Sequence, residues 1–479
     1  MRFVVYAALL IGLLAPPGQA GDGSTRDQAA SALRNAVGFF RARVAVEGGY
    51  LWRYSEDLSR RQGEEKATAT MAWVQPPGTP AVGLALLNAH EAAGDPYYLD
   101  AARETAHALV RGQLRSGGWD YSIEFDPRLR SRIAYRVDPE VKNGRNVSTL
   151  DDDTTQAALR LLMRIDRALK FEDAAIHESV GFALKALRNA QYPNGAWPQR
   201  FDRAPDPARF PVTKAASPDD WSRTYLKADY RGHYTLNDNT LADMIDVFLE
   251  AGRIYDRPEY QKAAERGGDF LLLAQMPEPQ PAWAQQYDAE MHPVWARKFE
   301  PPSITGGESQ GALKVLLHLY RETGHDRFLA PIPKALAYLR RSRLDDGRLA
   351  RFYELKTNRP LYFTKDDYEL TYSDANMPTH YAFKIGDGTG SITREYERLK
   401  ANGPDRRTDP TQTARPRPSK VLETRAMAVV KALDDQGRWV EDGRLKAFGP
   451  DDPTRRVIDC GTFIRNVDAL SRYLASTRP

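Results

Sequence analysis

The chain has 479 residues, 42% of them apolar and 10% aromatic, enough to bury a large core and long enough for more than one domain unless repeats unify it. Its 68 basic and 64 acidic residues leave a net charge of +4, which makes no global case for nucleic-acid binding, so any anionic partner must be gripped locally. A single cysteine, Cys460, excludes an internal disulfide and a cysteine-built zinc site, and reads as a small buried apolar residue.

Residues 1–20 carry Arg2, an apolar run from Phe3 to Ala15 and a closing Gly18-Gln19-Ala20, the layout of a secretory signal peptide. That run is too short for a membrane span, and no later stretch is long and apolar enough. The protein is therefore expected to be exported, with one folded domain over residues 27–479, and to act as a monomer.

A repeat follows. Tight turns at Ala93-Gly94-Asp95-Pro96, Leu169 to Ala174, Ile254 to Tyr260 and Thr323 to Leu329 each have apolar periodic segments on both sides. Around the second turn, Ala158, Leu161, Leu162, Ile165 and Leu169 recur at helical spacing upstream. Ile176, Val180, Ala183, Leu184 and Leu187 do so downstream. Each second helix runs into a glycine-rich turn: Gly48-Gly49-Tyr50, Gly117-Gly118-Trp119, Asn194 to Trp197, and more loosely Asp346-Gly347-Arg348. Repeated αα-hairpins of this kind stack side by side, and a ring of them makes an all-α fold, an α/α toroid with inner and outer helices. Strand signals are sparse, with Leu349 to Leu355 reading as a short strand or an extended loop at the ring's mouth. Long polar insertions are expected near residues 120–150, 198–235 and 384–420, the last being the least ordered. The basic stretch from Arg406 to Lys420 reads as surface loop because it has no aromatic residue for a base to stack on.

Two acidic clusters open helices: Asp151-Asp152-Asp153-Thr154-Thr155 and Asn237-Asp238-Asn239-Thr240. Asp, Asn and Thr are ordinary N-cap residues, and acidic groups favour the positive helix end. A cap needs only one of them, however, and clustered oxygens without histidine or cysteine suit a hard cation, with calcium preferred over zinc. If the helices opening at Thr154, Thr240 and Glu308 are equivalent first helices, their N-termini point to one rim. Both acidic clusters would meet Arg297 and the Gly306-Gly307-Glu308-Ser309 turn there, with Lys314 nearly two turns down the third helix and Arg351 and Lys365 in the next repeat. Arg297 lies on an irregular segment between Trp295 and Pro301. It reads equally as a structural arginine holding a buried carboxylate and as a participant in chemistry, and each basic residue taken singly reads as a solvated charge.

Five motifs then occur in order: Leu150 to Thr155, Tyr192 to Gln199, Thr235 to Asn239, Trp295-Ala296-Arg297 with Gly307-Glu308-Ser309, and Ala350 to Glu354 with Thr357 to Pro360. Over about residues 145–375 the chain resembles the family-ten polysaccharide lyases, the pectic acid lyases. The resemblance implies an α/α toroid and calcium-assisted β-elimination on polygalacturonate. It implies that Asp151, Asp152 and Asp238 hold Ca2+ together with the substrate carboxylate. It further implies that Arg297 abstracts the proton and that Lys314, Arg351 and Lys365 bind uronate carboxylates. Two positions depart from the family pattern: Asp152 stands where asparagine is common and adds charge, and Lys365 stands where arginine is common and gives up a forked grip. Two other readings compete. One is a glycoside hydrolase using Asp238 and Glu308. The other is a non-catalytic uronan-binding protein presenting Trp197, Trp221, Trp283 and Trp295.

Overall fold

The computed structural model describes residues 24–227, 229–230, 232–405 and 415–478. The expected signal segment and residues 406–414 of the basic stretch lie outside the described residues. Thirteen α-helices are present among those described: α1 (Thr25–Phe39), α2 (Thr79–Ala93), α3 (Pro96–Gly112), the single turn α4 (Pro127–Arg130), α5 (Thr154–Ala168), α6 (Ala174–Ala190), α7 (Thr240–Tyr255), α8 (Pro258–Ala274), α9 (Gly306–Thr323), α10 (Ile332–Arg341), α11 (Thr389–Asn402), α12 (Lys420–Ala432) and α13 (Cys460–Ser476).

The hairpins form where turn chemistry stops one helix and starts the next. Gly94 at φ 74° ends α2, and Asp95 then caps α3 by accepting from the Tyr97 N–H at 2.9 Å, with Pro96 at the first helical position. Between α5 and α6 the chain turns through left-handed Lys170 and Phe171, and Asp173 caps the Ile176 N–H. The apolar positions expected on α5 and α6 are buried, Leu169 only partly. In space, α2, α5, α7 and α9 follow one another as neighbouring first helices, each paired with its hairpin partner, while α13 packs on α2 and α11 on α9. The result is the α/α toroid, and no described helix is long and apolar enough to cross a membrane.

The tryptophan-bearing turns that follow α3, α6 and α8 are structural. The buried indoles of Trp119, Trp197 and Trp283 donate to the Leu109, Leu187 and Leu271 carbonyls at 2.8, 2.9 and 2.8 Å, each tying the turn to the end of the helix before it. Trp197 and Trp283 are therefore repeat packing and offer no sugar platform.

Sequence reading underestimates the rest of the chain in two places. The insertion expected near 384–420 contains α11, whose Ile392, Tyr396 and Leu399 are buried although charged residues lie between them. Strands also form at the rim. An antiparallel sheet runs in the order Leu370–Thr371, Pro360–Phe363, Phe352–Glu354, Ser303–Thr305, with Phe352 opposite Thr305. A second sheet pairs Arg53–Ser55 with Arg456–Asp459, joining the two ends of the described chain beside buried Cys460. Strands of two to four residues are too short for alternation to show in sequence.

Candidate functional site

The site is built twice from one template. Strand Ser148–Thr149 feeds the 3-10 turn Asp151–Asp153 that opens α5, and strand Tyr234–Thr235 feeds the turn Asn237–Asn239 that opens α7. In the first turn the Thr149 hydroxyl accepts from the Asp151 N–H at 3.2 Å; in the second the Thr235 hydroxyl accepts from the Asn237 N–H at 3.1 Å. Each turn then holds two successive residues in the left-handed region: Asp152 and Asp153 at φ 49° and 57°, Asp238 and Asn239 at φ 50° and 56°. Asp and Asn tolerate that conformation better than other side chains.

The two turns pack together and bring one carboxylate oxygen each of Asp151, Asp152 and Asp238 within 4.8 Å of one another. Such crowding of anions is costly. Burial, then the Asp151 charge, pushes Asp152 up to about 6. Burial, then Asp151 and Asp152, pushes Asp238 up to about 6. Tyr121 donates to Asp151 Oδ2 at 2.8 Å, Gln75 to Asp152 Oδ2 at 3.0 Å, and Asn237 to Asp238 Oδ2. Asp151 Oδ1 is buried and accepts no hydrogen bond. Three hard oxygen donors, mutual repulsion and an unsatisfied buried oxygen fit a divalent cation of the calcium type.

Arg297 lines the same cleft, which has a volume of about 920 Å³ and also receives Tyr121, Arg145 and Arg200. Its guanidinium is forked onto Glu300, Nε to Oε2 at 2.9 Å and Nη2 to Oε1 at 2.6 Å. The Arg297 N–H adds a third bond at 3.0 Å, and the Tyr381 hydroxyl donates to Oε1 at 3.0 Å. Burial by itself would lower the guanidinium's pKa, but the hydrogen bonds and charge of Glu300 outweigh it and hold the group above its ordinary value. Burial would raise Glu300, and Arg297 reverses that. Arg297 thus does hold a buried carboxylate, and it does so while facing the acidic triad.

The other basic residues disperse. Arg351 pairs with Glu308 at 3.1 Å and lines a smaller cleft with Asn237, Asp238 and Asn239. Lys314 is exposed on α9 and lines a third cleft with Asn239, Asp243 and Gly388. Lys365 sits in an exposed turn after strand Pro360–Phe363 and lines none of these three clefts. Sequence reading passed over Tyr121, Gln75, Arg200 and Glu300. The available signals were slight: Tyr121 follows the Trp119 turn by two residues, and Glu300 stands three from Arg297.

Helical hairpins whose leading ends gather carboxylates and a guanidinium over an open cleft define an α/α-toroid protein with a cation-ready rim. Residues 113–349 match the family model of pectic acid lyase, so the chain is a polysaccharide lyase, belonging with the pectic acid lyases. A search of curated proteins finds no match. Among solved structures it is similar to the family 10 polysaccharide lyase from Cellvibrio cellulosa, at 21% identity over 67% of this chain and 97% of that one, with a TM-score of 0.45. A mutant of that lyase in complex with trigalacturonic acid matches at 21% identity over 68% and 98%, TM-score 0.45. Cellobiose 2-epimerase from Bacillus thermoamylovorans matches at 11% identity over 94% and 98%, TM-score 0.44.

Proposed function

We propose that the protein is an exported, calcium-dependent pectate lyase that cleaves polygalacturonate by β-elimination. The observation that carries this reading is the placing of Arg297 in one cleft with the mutually repelling carboxylates of Asp151, Asp152 and Asp238, inside the segment that matches pectic acid lyase.

Elimination removes the C5 proton of a uronate, forms the C4–C5 double bond with the freed electron pair, and expels the C4 oxygen, which takes a proton from solvent. The difficulty lies at C5, whose carboxylate is already negative. A calcium ion held by Asp151, Asp152 and Asp238 would supply positive charge beside that carboxylate. In this reading Arg297 takes the C5 proton. Arg351 at the neighbouring cleft, Lys314 along α9 and Lys365 at the rim grip further uronate carboxylates as charge-assisted hydrogen-bond donors.

An arginine base must first be neutral, and here Glu300 opposes that. This pairing favours a second reading of the residue, in which Arg297 stays charged and stabilises the enolate-like charge that builds on the uronate. The two readings part at Arg297→Lys. A lysine keeps the cation and retains substantial turnover in the second, with a pH profile moved toward neutrality in the first.

The test of the function is ultraviolet absorbance of unsaturated product from polygalacturonate, with and without calcium, for wild type and Arg297→Ala. The expected result is calcium-dependent absorbance, lost by about a thousand-fold or more in the variant. New reducing ends without absorbance would instead make the protein a hydrolase, with Asp238 and Glu308 the carboxyl pair to examine. Full activity of Arg297→Ala would remove that residue from the chemistry.

A further inference from the structure

Three arginines line the large cleft beside the acidic triad, and two of them already have carboxylate partners. Arg145 lies 2.8 Å from Asp120, and Arg297 is forked onto Glu300. Arg200 is exposed and has no carboxylate within ion-pair distance among the described residues. An exposed arginine is usually a solvated charge, but this one is held by more than solvent. Strand Arg200–Phe201 pairs with Ser148–Thr149 in a register that sets Arg200 opposite Thr149, two residues before Asp151. Its guanidinium lies 5.6 Å from the Tyr121 ring centroid, and Nη2 is 3.5 Å from the Tyr121 hydroxyl, the same hydroxyl that donates to Asp151. Aromatic contact and strand pairing together fix a fork of N–H donors whose anion-binding edge is unused.

Within the cleft, Arg200 is the arginine without a carboxylate partner among the described residues. Glu64, Glu65 and Asp202 also line the cleft and would repel a polyanion elsewhere along it. The cleft is also as large as pockets that enclose a drug-sized ligand, so a uronan chain would place more than one sugar in it.

We propose that Arg200 is the carboxylate-binding residue of a second uronate subsite, in the large cleft and not in the one that Lys314 lines, and that it makes the enzyme prefer free over esterified uronan units. The inference rests on the uronan reading above. Arg200 touches substrate here without joining the proton transfer, so its loss shows in binding.

The experiment uses the full protein with Arg200→Ala and Arg200→Lys. Steady-state kinetics are followed on polygalacturonate and on methyl-esterified pectin, and trigalacturonate binding is measured by calorimetry in chelator. For Arg200→Ala the expected result is a KM for polygalacturonate raised about tenfold with kcat changed less than about threefold. A similar weakening of trigalacturonate and a smaller preference over the ester accompany it, and Arg200→Lys falls between. An unchanged melting temperature confirms that the fold is not the cause. Unaltered KM and Kd in Arg200→Ala overturn the subsite, as does a loss confined to kcat, which would make Arg200 a positioning residue for Tyr121 and Asp151. Wild-type protein that neither binds nor cleaves uronan sinks the functional reading itself. Wild-type protein that does both, with Arg200→Ala indistinguishable from it, sinks the subsite alone.

Discussion

Asp152 and Asp238 occupy the same place in two successive repeats: each is the second residue of a 3-10 turn, at φ 49° and 50°, and their carboxylates face each other across the packed turns. Because asparagine tolerates the left-handed region, Asp152→Asn and Asp238→Asn should both fold, which isolates charge from backbone. Each is expected to weaken calcium binding by about tenfold in calorimetric titration, the scale of one lost ionic ligand at a partly exposed site. Unchanged affinity in either variant would take that residue out of the cation site.

The same crowding sets a pH dependence. Asp152 and Asp238 are pushed up to about 6, above their unfolded value, so in the metal-free protein they favour the folded state while protonated. That contribution is lost as pH rises through about 6. Calcium takes the opposite part, since it requires the deprotonated pair. The calcium-induced rise in melting temperature should therefore be clearly larger at pH 7.5 than at pH 5, and a chelator should abolish it at both. An equal rise at the two pH values would detach the binding site from these carboxylates.

Much of this was legible in sequence, for reasons that can be named. The hairpins showed because helical spacing at Ala158, Leu161, Leu162 and Ile165 is repeated after Asp173, a cap residue. The convergence of Asp151, Asp152 and Asp238 with Arg297 followed once first helices were equated, because equivalent helices present equivalent ends. Glu300 was hidden because an acid three residues from an arginine in irregular chain carries no periodic signal, and only the turn closing at Glu300 N–H to Arg297 C=O, 2.9 Å, brings the pair together. Arg200 was hidden because its place depends on the register of a two-residue strand pairing, and α11 because its three buried apolar residues are outnumbered by charges.

Glu300 is 1% exposed, so stripping Arg297 leaves a buried carboxylate without its forked ion-pair partner. Arg297→Ala should therefore destabilise the fold by about 2 to 4 kcal/mol in denaturant titration, the lower part of the usual range because the arginine is partly exposed. Adding Glu300→Gln should recover most of that loss without recovering turnover. Recovery of both together would mean that Arg297 serves the fold alone.

Two glycines of one hairpin separate backbone constraint from helix propensity. Gly195 lies at φ 96° in the turn before Trp197, and a methyl group there would stand 1.9 Å from the Arg266 carbonyl oxygen of α8, an atom that cannot swing aside. Gly181 lies exposed within α6, with nothing within 4 Å of a built methyl. Gly195→Ala should cost about 3 kcal/mol or more, from left-handed strain and the backbone clash together. Gly181→Ala should gain about 0.5 to 1 kcal/mol from helix propensity. Neither residue lines a cleft that holds the acidic triad, so calcium affinity of the folded fraction should match wild type in both. A stable Gly195→Ala protein would mean that the turn after α6 adapts against α8, and the indole bond from Trp197 to Leu187 would then be the contact to measure for its displacement.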